Sequence, residues 1–322
     1  RIVATTCATD GEVFIIKRYG KDLNEFGFAI QIVDPMMVCS KHFDRASNGN
    51  YIRHGIEVNA NGKPIAYYFK KPRLDVMGYV ENYSSNSYER IEAANVIHIY
   101  LPEILGQKRG LPWMRTAMSR MRMLSGFEDA AITNARVGAA KMGFFKDLDA
   151  DNDNDDDLPM DGEAGAFENI GNREFVEWNP QFPDQSIDPF TKTILRSISS
   201  GLGVSYNNLA SDLTAVNFSS IRQGALDERE VWKGLQEWLI EWLCLPIYEA
   251  WIERALLSGS IKVFDKPLKF ERLEKYKKIS FQGRRWAWID PTAEMTANQM
   301  AIAMRIKSRS EVIRETTTRD PV

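Results

Sequence analysis

Over the first hundred residues the apolar positions come in short β-branched and aromatic runs bounded by Gly, Asp and Pro. They are Glu12–Lys17, Gly27–Val33, Ile56–Val58, Ile65–Phe69 and Asn95–Tyr100. Runs of this length and composition predict strands. Between the third and fourth lies Asn59-Ala60-Asn61-Gly62, whose Asn-Gly supplies the positive φ of a hairpin turn, so those two runs are predicted to pair. His98 falls inside the last run and is read as a packing or hydrogen-bonding strand residue, not as a ligand or catalytic group.

From Gly110 the period changes. Trp113, Ala117, Met121, Leu124, Ala131 and Ala135 recur at helical spacing. They predict a helix from Pro112 to about Ala140, roughly 28 residues and near 40 Å at ~1.5 Å per residue. Pro112 is expected in its first turn, where a missing N–H costs nothing. Its Met stripe reads as a packing face, and Gly126, Ala130, Gly138 and Ala139 would let neighbouring helices approach closely. Arg173–Trp178 predicts a strand, and Phe190–Ser200 a helix with Ile194, Leu195 and Ile198 on one face and Gly201 at the C-cap. Two long helices separated by a compact excursion return the chain to where it left, which puts the excursion at an end.

Val204–Asn217 is a polar connector without periodicity. Ser220-Ile-Arg-Gln223 fits a capping box and is expected to start the longest helix, through Ile221, Ala225, Trp232, Leu235, Leu239 and Trp242. Past a kink at Pro246 it runs through Trp251 and Leu256 to a stop at Gly259. Asp290-Pro291 is expected to cap one final helix reaching about Arg314. Trp113, Trp232, Trp238, Trp242 and Trp251 are read as core or subunit-interface anchors.

Composition narrows the classes. With 44% hydrophobic and 11% aromatic residues over 322 positions, wholesale disorder is excluded. No apolar stretch approaches the ~20 residues of a membrane span; Leu235–Leu257 is broken by Glu237, Glu241, Glu249, Glu253 and Arg254. Cys7, Cys39 and Cys244 are too widely spaced for a disulfide framework, which suits a reducing compartment. The chain begins at Arg1, with neither an initiator Met nor a signal-peptide core, and reads as an interior piece of a longer protein.

Charge is unevenly placed. Asp147–Glu168 holds eight Asp, two Glu and no basic residue, a stretch of −10; against a net −3, the remainder of the chain is therefore +7. Asp265–Trp286 is basic, with eight Lys and Arg against three acids. The alternation Asp149, Asp151, Asp153, Asp155 looks like a calcium loop. Counted from Asp149, however, positions six and twelve are Asn154 and Met160 instead of the Gly and Glu an EF-hand needs. HExxH, GxSxG, paired cysteines and GxxxxGK[ST] are all missing from the sequence, so nothing positive points to an enzyme, a cofactor or a specific metal site, and the acidic run leaves open only loose cation binding.

Four stretches in order resemble the lambda-type portal proteins of tailed bacteriophages. They are Ile52–Tyr67; Val96-Ile-His98 with Arg109-Gly-Leu-Pro112; Leu195–Tyr206 continuing through Leu209, Asp212 and Asn217–Arg222; and Ile289-Asp-Pro291 before a helix. The third is long and dense and carries most of the resemblance. The acidic insertion and the close Glu315-Thr-Thr-Thr-Arg-Asp320 depart from the pattern.

The resemblance implies an α+β portal-type fold assembled as a homo-oligomeric ring, typically of twelve subunits, at one capsid vertex of the virion and put together in the host cytoplasm. It implies a β-rich wing over 1–110, a stem helix over 111–141, a clip with the acidic loop over 142–183 and a second stem helix over 184–204. A tunnel-loop connector over 205–219, a helical wing region with a long kinked helix over 220–288 and a C-terminal wing or crown helix over 289–322 follow. Implied partners are double-stranded DNA in the channel, terminase and head-completion or tail adaptor proteins at the clip, and the major capsid protein. The DNA-facing residues would be Asp212, Leu213, Thr214, Ala215, Val216 and Asn217. Leu213–Asn217 is uncharged and small, which suits touching DNA without gripping it, because each neutralised phosphate adds affinity that translocation must break. Asp151, Asp153, Asp155, Asp156 and Asp157 would repel phosphates and so bind protein. Two other readings compete: a structural head adaptor or scaffold that never contacts DNA, and a metal-dependent hydrolase using the Asp149–Asp157 carboxylates.

Overall fold

The computed structural model describes residues 1–74, 80–139, 143–147, 173–177, 187–214, 217–286 and 291–317. They form two compact units, one of Arg1–Arg115 with Leu213–Val322 and the other of Thr116–Asp212.

The first unit is organised around strand β1 (Glu12–Tyr19), which follows a short helix α1 (Ile2–Thr9) that the sequence reading missed. β1 is flanked antiparallel by β2 (Phe28–Val33) and β8 (Val96–Tyr100). A second antiparallel sheet runs β3 (Asp44–Arg45), β4 (Tyr51–Arg53), β5 (Ile56–Val58), β6 (Pro64–Leu74), β7 (Val80–Glu92) in that order. Because side chains alternate across a strand, Phe14 and Ile16 enter a core with Val33, Val38, Ile56, Val58, Tyr67, Phe69 and Val96. Val13 and Ile15 enter another with Val3, Cys7, Ile97, Ile99 and Trp238. A strand covered on both faces needs an unbroken apolar run, and Val13-Phe-Ile-Ile16 is that run.

The Asn-Gly hairpin forms as expected: Gly62 has φ 75°, its N–H donates to the Asn59 carbonyl at 2.9 Å, and β5 pairs with β6. The long partner strand β7 was not predicted; its polar sequence, Val80-Glu-Asn-Tyr-Ser-Ser-Asn-Ser, shows no apolar alternation, and pairing with β6 holds it.

The predicted long helix is three pieces. Helix α5 (Phe218–Leu239) widens into a π-helical segment (Ile240–Cys244) and resumes as helix α6 (Leu245–Leu257). Pro246 has no N–H to give back to the preceding turn, and the wider turn, with Leu245 N–H donating to the Ile240 carbonyl, accommodates it. Past α6 come a two-strand hairpin, β11 (Lys262–Val263) with β12 (Lys266–Pro267), and a short helix α7 (Leu273–Lys277). The expected single terminal helix is also divided, into α8 (Pro291–Ala303) and α9 (Arg309–Thr316). Arg305 turns left-handed (φ 59°), and Ser308 with Glu311 forms a new capping box that restarts the helix.

The second unit pairs helix α2 (Arg115–Ala139) with α3 (Ile187–Leu202). α2 starts three residues after Pro112, whose carbonyl instead accepts the Arg115 N–H at 3.1 Å in the preceding turn. Ala117, Met121 and Leu124 pack on Ile194, Leu195, Ile198 and Leu202. Gly201 does not end α3. It lies inside the helix, where Thr116 Oγ1 donates to its carbonyl at 2.5 Å and a Cβ would meet that oxygen at 3.2 Å. The left-handed C-cap is Gly203 (φ 68°), with Val204 N–H returning to the Ser199 carbonyl. Strands β9 (Gly143–Asp147) and β10 (Arg173–Glu177) pair antiparallel, with Phe145 opposite Phe175.

Candidate functional site

The residues expected to face DNA are built from two ends of chain. In the second unit Ser205 caps α4 (Tyr206–Ala210), a short helix inside what read as irregular connector, and left-handed Ser211 (φ 53°) ends it. Tyr206 Oη donates to Asp212 Oδ2 at 2.9 Å, and the Arg196 guanidinium lies 5.3 Å over the Tyr206 ring. Asp212 is thereby part of a braced turn. In the first unit Leu213 is 60% exposed and Thr214 is exposed, while Ala215 and Val216 lie outside the described residues. Asn217 has a second task. Its Oδ1 accepts the Ser220 N–H at 2.9 Å and Ser220 Oγ accepts the Asn217 N–H at 3.1 Å, so the capping box begins at Asn217 and not at Ser220. Asn ranks with Ser as an N-cap, and the reciprocal pair leaves Ser220 as its third helical residue.

The tryptophans separate. Trp238 is 9% exposed, with its Nε1–H donating to the Tyr100 carbonyl at 3.1 Å and Trp113 edge-on at 6.0 Å between ring centroids. Trp242 packs on the same core and meets Tyr100 at 5.5 Å. Trp251 stands edge-on to Phe26 at 5.5 Å. Trp232 is 36% exposed, in contact with Trp286 at 6.0 Å. Asp151, Asp153, Asp155, Asp156 and Asp157 lie outside the described residues; the strands bracketing them in sequence, β9 and β10, are paired.

On α2 the apolar positions continue past the face that packs on α3. At ~100° per residue, exposed Met118 (57%) and Ile132 (59%) fall on one side of the Ala117–Leu124 face. Exposed Met123 (63%), with Ala130, falls on the other. A helix covered on one side within its own chain thus carries apolar residues on both remaining flanks.

Two buried carboxylates were not foreseen. Glu12, on β1, accepts Arg109 Nε at 2.6 Å, His98 Nε2 at 2.9 Å and the Gly110 N–H at 2.8 Å. Arg109 also donates to the carbonyls of Pro35, Val38 and His54. Burial raises the Glu12 carboxyl, but the hydrogen bonds from His98 and Arg109 outweigh it and leave its pKa below the ordinary value. Burial holds His98 below its ordinary pKa, so His98 is a neutral donor through Nε2 while Nδ1 faces Tyr67 Oη at 3.5 Å. The same neighbourhood needs two glycines: a Cβ on Gly110 would meet the Gly11 carbonyl oxygen at 2.1 Å, and one on Gly11 the Leu111 carbonyl carbon at 2.4 Å. Elsewhere in this unit Glu57, fully buried, accepts Asn48, Asn50, Tyr68 and Arg90. A charged residue at the head of an apolar run, as Glu12 is, or inside one, as Glu57 is, was the available signal.

These carboxylates are saturated by donors, and a saturated carboxylate rivets structure together. Among the described residues no group of three or more His, Cys, Asp or Glu is placed to hold a metal, and no helix is long and apolar enough to cross a membrane.

A family model described as phage portal protein, lambda family, matches residues 1–236. The chain is 31% identical over 329 residues to the probable portal protein of Halomonas phage phiHAP-1, covering 98% of this chain and 61% of that one. It is 24% identical over 282 residues to the portal protein of Escherichia phage N15 (76% of this chain, 50% of that one). To portal protein B of Escherichia phage lambda it is 21% identical over 311 residues (87% and 56%). The chain therefore spans between half and about three fifths of the length of these relatives. With its first 236 residues matched by that model, the chain belongs to the lambda family of phage portal proteins.

Proposed function

We propose that the protein is a subunit of a ring-shaped channel at one capsid vertex of a phage virion, conducting double-stranded DNA during packaging and ejection and joining head to tail. It acts without catalysing a reaction of its own. The observation that carries this reading is helix α2, with Met118 and Ile132 on one flank and Met123 on the other, beside a face already covered by α3. A closed ring needs two unlike surfaces on every subunit, each meeting the other on a neighbour. The ring would have twelve subunits, with α2 and α3 as its stem helices, β9 and β10 at the base of a clip, and the β-rich unit with α5 and α6 as the wing.

In this reading Leu213, Thr214, Ala215, Val216 and Asn217 touch the DNA, with Asp212 held back by Tyr206. Uncharged contacts there let DNA slide. Asp151, Asp153, Asp155, Asp156 and Asp157, in a stretch of −10, meet terminase or head-completion and tail adaptor proteins, and the wing meets the major capsid protein. Light scattering and electron microscopy of the full-length protein test the assembly. The expected result is a ring with an axial opening wide enough for duplex DNA. A solitary chain at micromolar concentration refutes the ring, and rings closed at the axis favour a head adaptor that never contacts DNA.

A further inference from the structure

The basic segment after α6 has no part in that reading, and it lies beyond the 236 residues that the family model matches. Between Lys262 and Trp286 there are nine Lys and Arg against Asp265, Glu271 and Glu274, a surplus of six. That is nearly the whole positive excess of the chain outside its acidic stretch. The segment is pinned to α6: Tyr248 Oη donates to the Tyr276 carbonyl at 2.9 Å, and the Tyr248 ring meets Phe281 edge-on at 6.1 Å.

Four of its cations are spaced at every third residue: Lys269, Arg272, Lys275 and Lys278. The backbone between them is a 3₁₀ turn at Phe270–Arg272 followed by α7. In a 3₁₀ turn residues three apart eclipse, and in an α-helix they remain neighbours, which sets Arg272 beside Lys275; Lys269, extended just before the turn, and Lys278, just after α7, continue the series into a short row. All four are exposed, and none has an ion-pair partner among the described residues. Leu273 and Tyr276, between them, are half-buried. Lys277, which falls off the row, is paired with Glu274 at 3.4 Å. Over Lys269–Lys278 five cations meet two acids, Glu271 and Glu274, and Glu274 goes to the off-row lysine, so the row keeps a net positive edge.

We infer that the row Lys269, Arg272, Lys275 and Lys278 binds the phosphate backbone of double-stranded DNA without sequence preference, at a site separate from the Leu213–Asn217 connector. Four cations on a five-residue helix and its flanks, too short an element to lie in a groove and read base edges, specify charge and not sequence. The connector can then slide freely while a salt-sensitive contact elsewhere on the same chain holds duplex weakly.

The test is fluorescence anisotropy of the full-length protein with a labelled duplex of arbitrary sequence over a series of salt concentrations. The wild type should bind, with log affinity falling linearly in log salt. Changing all four residues to Gln should lower the magnitude of that slope by about 0.9 per cation removed and weaken low-salt binding by more than about tenfold. The single variants Arg272→Gln and Lys275→Gln, each at an exposed position, should each lower it by about 0.9 and cover the case in which the fourfold variant fails to fold. Replacing Leu213–Val216 with a Gly-Ser segment removes no cation, so whatever it does to affinity it should leave the slope as in the wild type, which separates this site from the channel reading. Poly-glutamate and vesicles of phosphatidylcholine with phosphatidylglycerol serve as competitors. Wild-type binding by the single variants, or displacement of duplex by either competitor at equal charge concentration, overturns the inference.

Discussion

Arg109 Nε donates to Glu12 Oε1 at 2.6 Å, closing 97 residues of chain, and the same guanidinium holds the carbonyls of Pro35, Val38 and His54. One side chain thus ties β1 to the loops that carry Val38 and His54. Removing it leaves Glu12 buried with His98 and one backbone N–H. Arg109→Met should therefore destabilise the protein by about 3–5 kcal/mol, the usual result of orphaning a buried charge. Arg109→Lys should rescue little, since an ammonium cannot span the carboxylate and three carbonyls together. Urea unfolding followed by tryptophan fluorescence gives the answer, and an unshifted midpoint for Arg109→Met would refute the rivet.

Glu57 gives a pH dependence with a definite sign. Arg90 beside it, with Asn48, Asn50 and Tyr68, lowers its carboxyl from 4.5 to about 2 against the opposing effect of burial. A carboxyl depressed on folding stabilises the folded state above its unfolded pKa, and that stability is lost as pH falls through the folded value. The contribution should be intact above 4.5 and disappear on acidification toward 2. Glu57→Gln should be less stable at neutral pH and should flatten this limb of the profile. Equal slopes for both proteins between those pH values would show that Glu57 is not the titrating group.

The tryptophans, alike as candidate core or interface anchors in the sequence, should separate on substitution. Trp238→Ala removes a buried ring and its hydrogen bond to Tyr100, and should cost about 3–5 kcal/mol. Trp232→Ala, at a position 36% exposed, should leave the isolated chain within about 1 kcal/mol of wild type. Thermal unfolding at low protein concentration distinguishes them, and equal losses would contradict the burial of Trp238.

That difference marks the reach of a sequence. Helical period puts Trp232 in an apolar stripe and leaves Trp238 out of it, yet Trp238 is the buried one, because depth depends on what packs against each, here β8 and Trp113 for Trp238. Short β-branched runs at Glu12–Lys17 and Asn95–Tyr100 and the Asn61-Gly62 turn are local signals, and strands β1 and β8 and the β5–β6 hairpin follow them. β7 has no such signal, because its first eight residues, Val80–Ser87, show no apolar alternation, and only its end, with Arg90 on Glu57 and Ile91 on the core, carries side chains that anchor it. Helix ends slipped for a related reason. Gly201 looks like a stop, yet close approach to Thr116 is what requires a glycine there, and the positive φ falls at Gly203. Of the connector, the capping box was visible in the sequence but its register was not, since Asn217 and Ser220 are both good caps and only their reciprocal hydrogen bonds decide.

The flanks of α2 make the sharpest demand on the ring. Met118 and Met123 are both exposed and lie on opposite sides of the face that packs on α3, so a carboxylate at either should leave the lone chain within about 0.5 kcal/mol of wild type. In a ring each would bury an unpaired charge and break one of the two unlike surfaces. Met118→Glu and Met123→Glu should each remain folded single chains by circular dichroism and light scattering. Mixed in equal amounts, they should pair through the one surface each retains and stop at dimers, because the other surfaces are spoiled. A self-complementary contact would instead leave both variants, and their mixture, unpaired. Rings formed by either variant alone would remove α2 from the subunit interface and with it the main support for assembly through this helix.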